Sequence, residues 1–261
     1  MVNNLKLRLG KWLASYLSRP IPHYTPFSTY DIPLLETVME PGDILLVDGN
    51  TRISTAIKYL TQSTWSHAAF FAGPATGQFT GGGEECPLIE ADLNDGVIAS
   101  PLSKYRNFNI RICRPVGLTD EDREKAIGMM VQSLGLEYDL KHVFDLGRYL
   151  LPIPPVPVRF RRQLLALGSG DPSRAICSSL IAESFQSIHY PILPSVEKKV
   201  ELSEYSYSVK VIYHIRHYSL FTPRDFDVSP YFKIVKPTIE HGFDYHSLTL
   251  EGPDMARGPG K

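Results

Sequence analysis

Cysteine is scarce. Cys86, Cys113 and Cys177 are the only three in 261 residues, and their wide, irregular spacing excludes a disulfide framework. The chain therefore has the character of a reducing compartment, and we expect it in the cytoplasm. An excess of either charge is also missing: 27 Lys and Arg stand against 28 Asp and Glu, so no general field draws nucleic acid and no such partner is expected. No stretch approaches the roughly 20 apolar residues that span a bilayer. The first residues lack the unbroken apolar core of a secretory signal, and no cysteine near the start offers a lipid anchor. His189, His214, His217, His241 and His246 form neither a His-Glu-x-x-His nor a Cys-x-x-Cys spacing, so no metal is expected. Gly81-Gly82-Gly83 lacks the Lys-Ser or Lys-Thr of a phosphate loop, so Gly77 to Glu85 reads as a flexible loop and no cofactor is expected.

What is present begins with a hydrophobic content of 43%, enough for a full core. Leu5, Leu9, Trp12, Leu13, Tyr16 and Leu17 recur at helical spacing among Lys6, Arg8, Lys11 and Arg19. Such a basic amphipathic helix over residues 5–19 suits either a membrane surface, here the inner membrane face, or packing on its own domain. A Pro-rich approach from Pro20 to Pro33 follows, and Pro41-Gly42-Asp43 turns into a buried strand, Ile44 to Asp48. Ser54 to Leu60 has helical composition, and Trp65 to Ala72 reads as a second strand. Leu88 to Ala91 and Gly96 to Ala99 form strands around the turn Asn94-Asp95-Gly96, and Asn109 to Pro115 gives another.

From Thr119 the texture changes. Thr119 caps an acidic first turn, Ala126, Met129, Met130 and Leu134 follow at helical spacing, and Gly135 ends the helix. A short helix is expected over Val143 to Leu150, and Pro152, Pro154, Pro155 and Pro157 then impose an extended crossing. Arg159, Arg161 and Arg162 form a basic cluster suited to solvent or to anionic headgroups. The last clear helix is Ala175 to Ser187, with Cys177 in its opening turns. The tail from Pro191 is rich in Tyr, Pro and His, is strand-like at Tyr231 to Val235, and has the composition of a disordered end after Gly252.

A helix start stabilises a thiolate, which singles out Cys177 from Cys86 and Cys113. His67 lies in an otherwise apolar, small-residue strand, where an imidazole needs a partner and could take the proton of a thiol. A third group must orient that imidazole. Glu90, a carboxylate inside a strand, is the candidate, and Asp92, two residues on and on the same face, is its rival.

Taken in order, these motifs resemble a known family. Pro41-Gly42-Asp43-Ile44-Leu45-Leu46, Ser66-His67-Ala68-Ala69, Ile89-Glu90-Ala91, Gly135-Leu136-Glu137-Tyr138-Asp139 and Ile176-Cys177-Ser178-Ser179-Leu180-Ile181 are similar to the YiiX/YebB-like permuted papain-like amidases, NlpC-related cysteine hydrolases. The resemblance implies an α+β fold, circularly permuted relative to papain, with an antiparallel sheet packed against the helix that bears the cysteine. It implies Cys177 as nucleophile, His67 as base and Glu90 as orienting residue. Tyr138 and the backbone N–H groups around Cys177, including that of Ser178, are then the oxyanion or substrate donors. We expect residues 1–33 to be the amphipathic helix and Pro-rich approach, 34–235 the hydrolase domain with its extension, and 236–261 a tail. The expected activity is cleavage of an amide or ester through a thioester, with a membrane-surface lipid acyl hydrolase or acyltransferase and a non-catalytic binding module of the same fold as alternatives; the expected partner is a small amide, peptide or acyl-lipid substrate.

Overall fold

The computed structural model describes residues 15–16, 18–21, 24–26, 30–92, 95–136, 177–203 and 206–247. Its centre is a six-stranded antiparallel sheet in the order β4-β3-β2-β1-β5-β8. The strands are β1 (Ile44–Val47), β2 (His67–Phe71), β3 (Leu88–Asp92), β4 (Gly96–Ser100), β5 (Ile110–Pro115) and β8 (Phe232–Val235). β1 is wholly apolar because both its faces are covered. Ile44 and Leu46 join a core with Phe70, Ala126, Met130, Ile181 and Phe185, while Leu45 and Val47 join a second with Leu35, Ala69, Phe71 and Tyr105. Strand parity thus sorts the residues of one segment into two cores.

Two helices supply the first core: α3 (Asp120–Gln132), capped by Thr119, and α4 (Cys177–Ser187). Ser184 Oγ donates to the Ala126 carbonyl at 3.1 Å and fixes α4 on α3. The second core is closed by α1 (Ile32–Val38), which runs across the boundary expected at residue 33/34. Pro33 sits in its first turn, where a proline lacks no needed N–H. After β8, the short α6 (Pro237–Glu240) lies beyond the other expected boundary and packs against α1.

The turn ahead of β1 needs Gly42, whose φ is 99°. Asp43 follows, almost fully buried, and receives Arg114 of β5 in two hydrogen bonds of 2.9 and 2.8 Å. That bidentate pair ties the turn to the sheet. The Gly81-Gly82-Gly83 stretch, expected in a loop, is the tip of a turn closed by a bridge between Phe79 and Glu85. The mutual backbone hydrogen bonds Thr80 N–Glu84 O and Gly83 N–Thr80 O account for its order.

The aromatic tail belongs to the core. Phe221, Phe226 and Phe232 are buried, and Phe232 meets Phe185 edge to face with centroids 5.4 Å apart. Phe226 is carried by α5 (Pro223–Asp227), where Thr222 and Asp225 form a capping box. Between α4 and α5 runs a hairpin not foreseen in the sequence, β6 (Ser195–Ser203) with β7 (Ser206–His214), paired outside the main sheet. Residues 5–14, the segment around Tyr138, the helix expected at 143–150, the proline crossing, the arginine cluster and the tail after Gly252 lie outside the described residues. Among the described residues, no helix is long and apolar enough to cross a membrane.

Candidate active site

His67 is the first residue of β2, beside the end of β1, where it pairs with Val47. The strand before it is fixed by Ser66, whose Oγ accepts the Gly49 N–H at 3.0 Å. A side chain at Gly49 would collide with Ser54 and Ser66, so glycine there permits α2 (Arg52–Thr61) to lie close over the strand ends. Glu90 lies in the neighbouring β3 with the same parity as Leu88, which places it on the face of the second core. It is 2% exposed.

The two side chains meet. His67 Nε2 lies 2.5 Å from Glu90 Oε2. Cys177, the first described residue of α4, hydrogen-bonds to His67 as well. Backbone N–H groups of Ala68 and Ser178 also donate to the Cys177 sulfur. Burial opposes charge on this thiol, but the His67 charge and these hydrogen bonds outweigh it and hold the Cys177 pKa below its ordinary value. Burial likewise opposes charge on His67, yet the Cys177 thiolate and the Glu90 carboxylate together push the imidazole up to about 10. The favoured state is a thiolate–imidazolium pair with a carboxylate behind it.

The other two cysteines show the contrast. Burial and the neighbouring Glu84 raise Cys86, and burial in β5, with Asp227 nearby, raises Cys113 further. Neither faces an imidazole.

Glu90 bears on His67. Asp92 accepts the Asp95 N–H at 3.3 Å through one carboxylate oxygen and lines the edge of the same cleft. Two residues not foreseen in the sequence complete the corner, both from the single 3-10 turn Leu102–Tyr105 after β4. Lys104 Nζ donates to Glu90 Oε1 at 2.7 Å, and the buried Tyr105 hydroxyl donates to Oε2. Burial opposes the charge on Glu90, but His67 and Lys104 outweigh it and hold the carboxyl well below its usual range. Nothing in the local sequence Leu102-Ser103-Lys104-Tyr105 marks these residues; only the β3–β4 register brings them beneath Glu90.

Ser178 turns its hydroxyl and its N–H to different partners. Its hydroxyl donates to the Phe221 carbonyl at 2.9 Å, tying α4 to the cleft wall, so only its N–H faces the reacting sulfur. Tyr138 lies outside the described residues. Cys177 and His67 open into a cleft of about 300 Å³, whose apolar walls include Val47, Ile53, Ile57, Phe108, Leu220 and Phe221. Among the described residues no three His, Cys, Asp or Glu side chains converge as a metal site.

A histidine strand that precedes the cysteine helix, both on an antiparallel sheet, is the order of a circularly permuted papain-like fold, and that is the class of this α+β structure. The family comparison agrees. Residues 38–149 match the model of the family described as permuted papain-like amidase enzyme, YaeF/YiiX, C92 family. At the level of the matched family this supports a cysteine hydrolase of the amidase kind. The match contains His67 and Glu90 and stops short of Cys177, which joins them through the fold. Among solved structures, the crystal structure of metalloprotein yiiX from Escherichia coli O157:H7 is similar at 16% identity and a TM-score of 0.45, over 76% of this chain and 96% of that one. No curated protein matches the chain.

Proposed function

We propose that the protein cleaves an amide or ester bond through a thioester on Cys177. The observation that carries this reading is the imidazole of His67 held between the Cys177 sulfur and the Glu90 carboxylate, with the thiol shifted toward thiolate. The thiolate attacks the carbonyl carbon, and the oxyanion forms beside the Ser178 N–H. His67 then protonates the leaving amine or alkoxide as the carbon–heteroatom bond breaks. In the second half, His67 takes a proton from water as the water oxygen attacks the thioester; the carbon–sulfur bond breaks and the acid leaves. Glu90 selects the tautomer and orients the ring throughout.

The cleft supports a substrate with an apolar acyl part, since Ile53, Ile57 and Phe108 offer it carbon surface rather than charge. A second reading follows from the same walls: the acyl group comes from a lipid at a membrane surface, and an amine or alcohol replaces water as acceptor. Incubation with p-nitrophenyl acyl esters, followed by intact-protein mass spectrometry, tests the first step. One acyl group is expected on the wild type, none on Cys177→Ala and less on His67→Ala. Equal labelling of Cys177→Ala would sink the assignment. Preference for longer acyl chains, with transfer to added amines exceeding hydrolysis, would favour the second reading.

A further inference from the structure

We propose that Lys104 is a positioning residue for the base, the fixed counter-ion of Glu90 while the charge on His67 comes and goes. This rests on the thioester reading above. Glu90 is almost wholly buried, with Oε1 taken by Lys104 at 2.7 Å and Oε2 by His67 at 2.5 Å and by the Tyr105 hydroxyl. In the resting site the charges balance: thiolate and carboxylate against imidazolium and ammonium. After acyl transfer they no longer do so without Lys104. The sulfur is then a neutral thioester and His67 has given its proton to the leaving group, so the carboxylate would stand alone in a buried corner. Among the described residues, Lys104 is then the one cation within ion-pair reach of it.

The consequence falls on deacylation. A buried carboxylate without a counter-ion is costly, and the site would relieve the cost by keeping a proton on the His67–Glu90 pair. A pair that keeps its proton cannot accept one from water. Lys104 lowers the proton affinity of the pair and so leaves neutral His67, backed by an anionic Glu90, ready to act as base. The other groups facing this corner do not exchange charge in the step. From the turn of Lys104 comes Tyr105, whose phenol is held well above its ordinary range by burial and by Glu90; from β3 comes Asp92, whose charge acts on Tyr105. Cys177 of α4 is acylated at that stage.

The test compares Lys104→Met and Lys104→Arg with the wild type on an activated acyl ester, following burst and steady-state phases against pH. In Lys104→Met the burst is expected to persist, whereas deacylation at neutral pH slows roughly tenfold and its acid limb moves up by about one pH unit. Lys104→Arg restores most of both. A second measurement needs no turnover: NMR titration of the His67 ring in Cys177→Ala, which mimics the neutral sulfur, with and without Lys104→Met. The pair is expected to lose its proton at a pH higher by a similar amount when Lys104 is absent. Lys104→Gln replaces Lys104→Met if the latter does not fold. An unmoved ring titration overturns the proposal whatever the kinetics. Acylation of Cys177→Ala equal to that of the wild type overturns the thioester reading instead, and the titration still decides on Lys104.

Discussion

Cys177→Ala is expected to lower cleavage of an activated acyl ester by about 10⁴- to 10⁶-fold, the range for loss of a nucleophile. No other thiol can take over. Cys86 and Cys113 are buried, and both are shifted away from the thiolate form. Cys113 also lies inside β5 with its partners Ile44 and Ile234 on either side, so no substrate carbonyl can reach it. The substitution removes one sulfur atom at a cleft edge and leaves α4 anchored through Ser184, Ile181 and Phe185. Thermal unfolding within a few degrees of the wild type, alongside the lost activity, separates loss of the nucleophile from loss of the fold. Retention of more than a few per cent of the wild-type rate would contradict the assignment.

Glu90→Gln carries the second-largest expected effect, a fall of roughly 10²- to 10⁴-fold, as for other neutralised orienting carboxylates. The amide nitrogen that replaces one oxygen donates and does not accept, so either Lys104 or the His67 and Tyr105 pair is left facing another donor. The pH dependence follows with a definite sign. In the wild type His67 is raised to about 10, partly by Glu90, so the imidazolium persists up to that pH and an alkaline limb is expected there. Without the carboxylate the imidazolium loses one of its two anions, and the limb moves to lower pH. The same raised value bears on stability. The contribution of the charged ring is fully present below its ordinary value near 6.5 and is lost as pH rises through about 10. Glu90 acts in the opposite sense. Its contribution is present above its ordinary value near 4.5 and is lost only as the pH falls well below it. An alkaline limb that stays in place in Glu90→Gln would show that the carboxylate does not act on His67.

The three residues that meet in the cleft were legible in the sequence for different reasons. His67 stood out as an imidazole in an apolar strand, Glu90 as a carboxylate in another, and Cys177 as a thiol at a helix start. Strand periodicity also put Glu90 and Asp92 on one face but could not choose between them, because the choice depends on where the turn 102–105 returns beneath β3. Lys104 and Tyr105 escaped notice for that reason: their role exists only through a register between β3 and β4. The central strands and α3 were readable because composition and periodicity agreed. The Tyr- and His-rich tail was readable only at the strand over Tyr231 to Val235, since Phe226 packs into the core through a five-residue helix too brief for a periodic signal. The hairpin of β6 and β7 was obscured by Lys and Glu within its strands.

The central claim is that Cys177 rests as a thiolate paired with the His67 imidazolium. The rate of alkylation of each cysteine by iodoacetamide against pH, read peptide by peptide, tests it most directly. The account predicts that Cys177 reacts far faster than Cys86 or Cys113 at neutral pH. Its rate should show its first inflection below 9, the ordinary thiol value, and change again near 10 as His67 titrates. A single inflection at or above 9, with Cys177 no more reactive than Cys86, would contradict it.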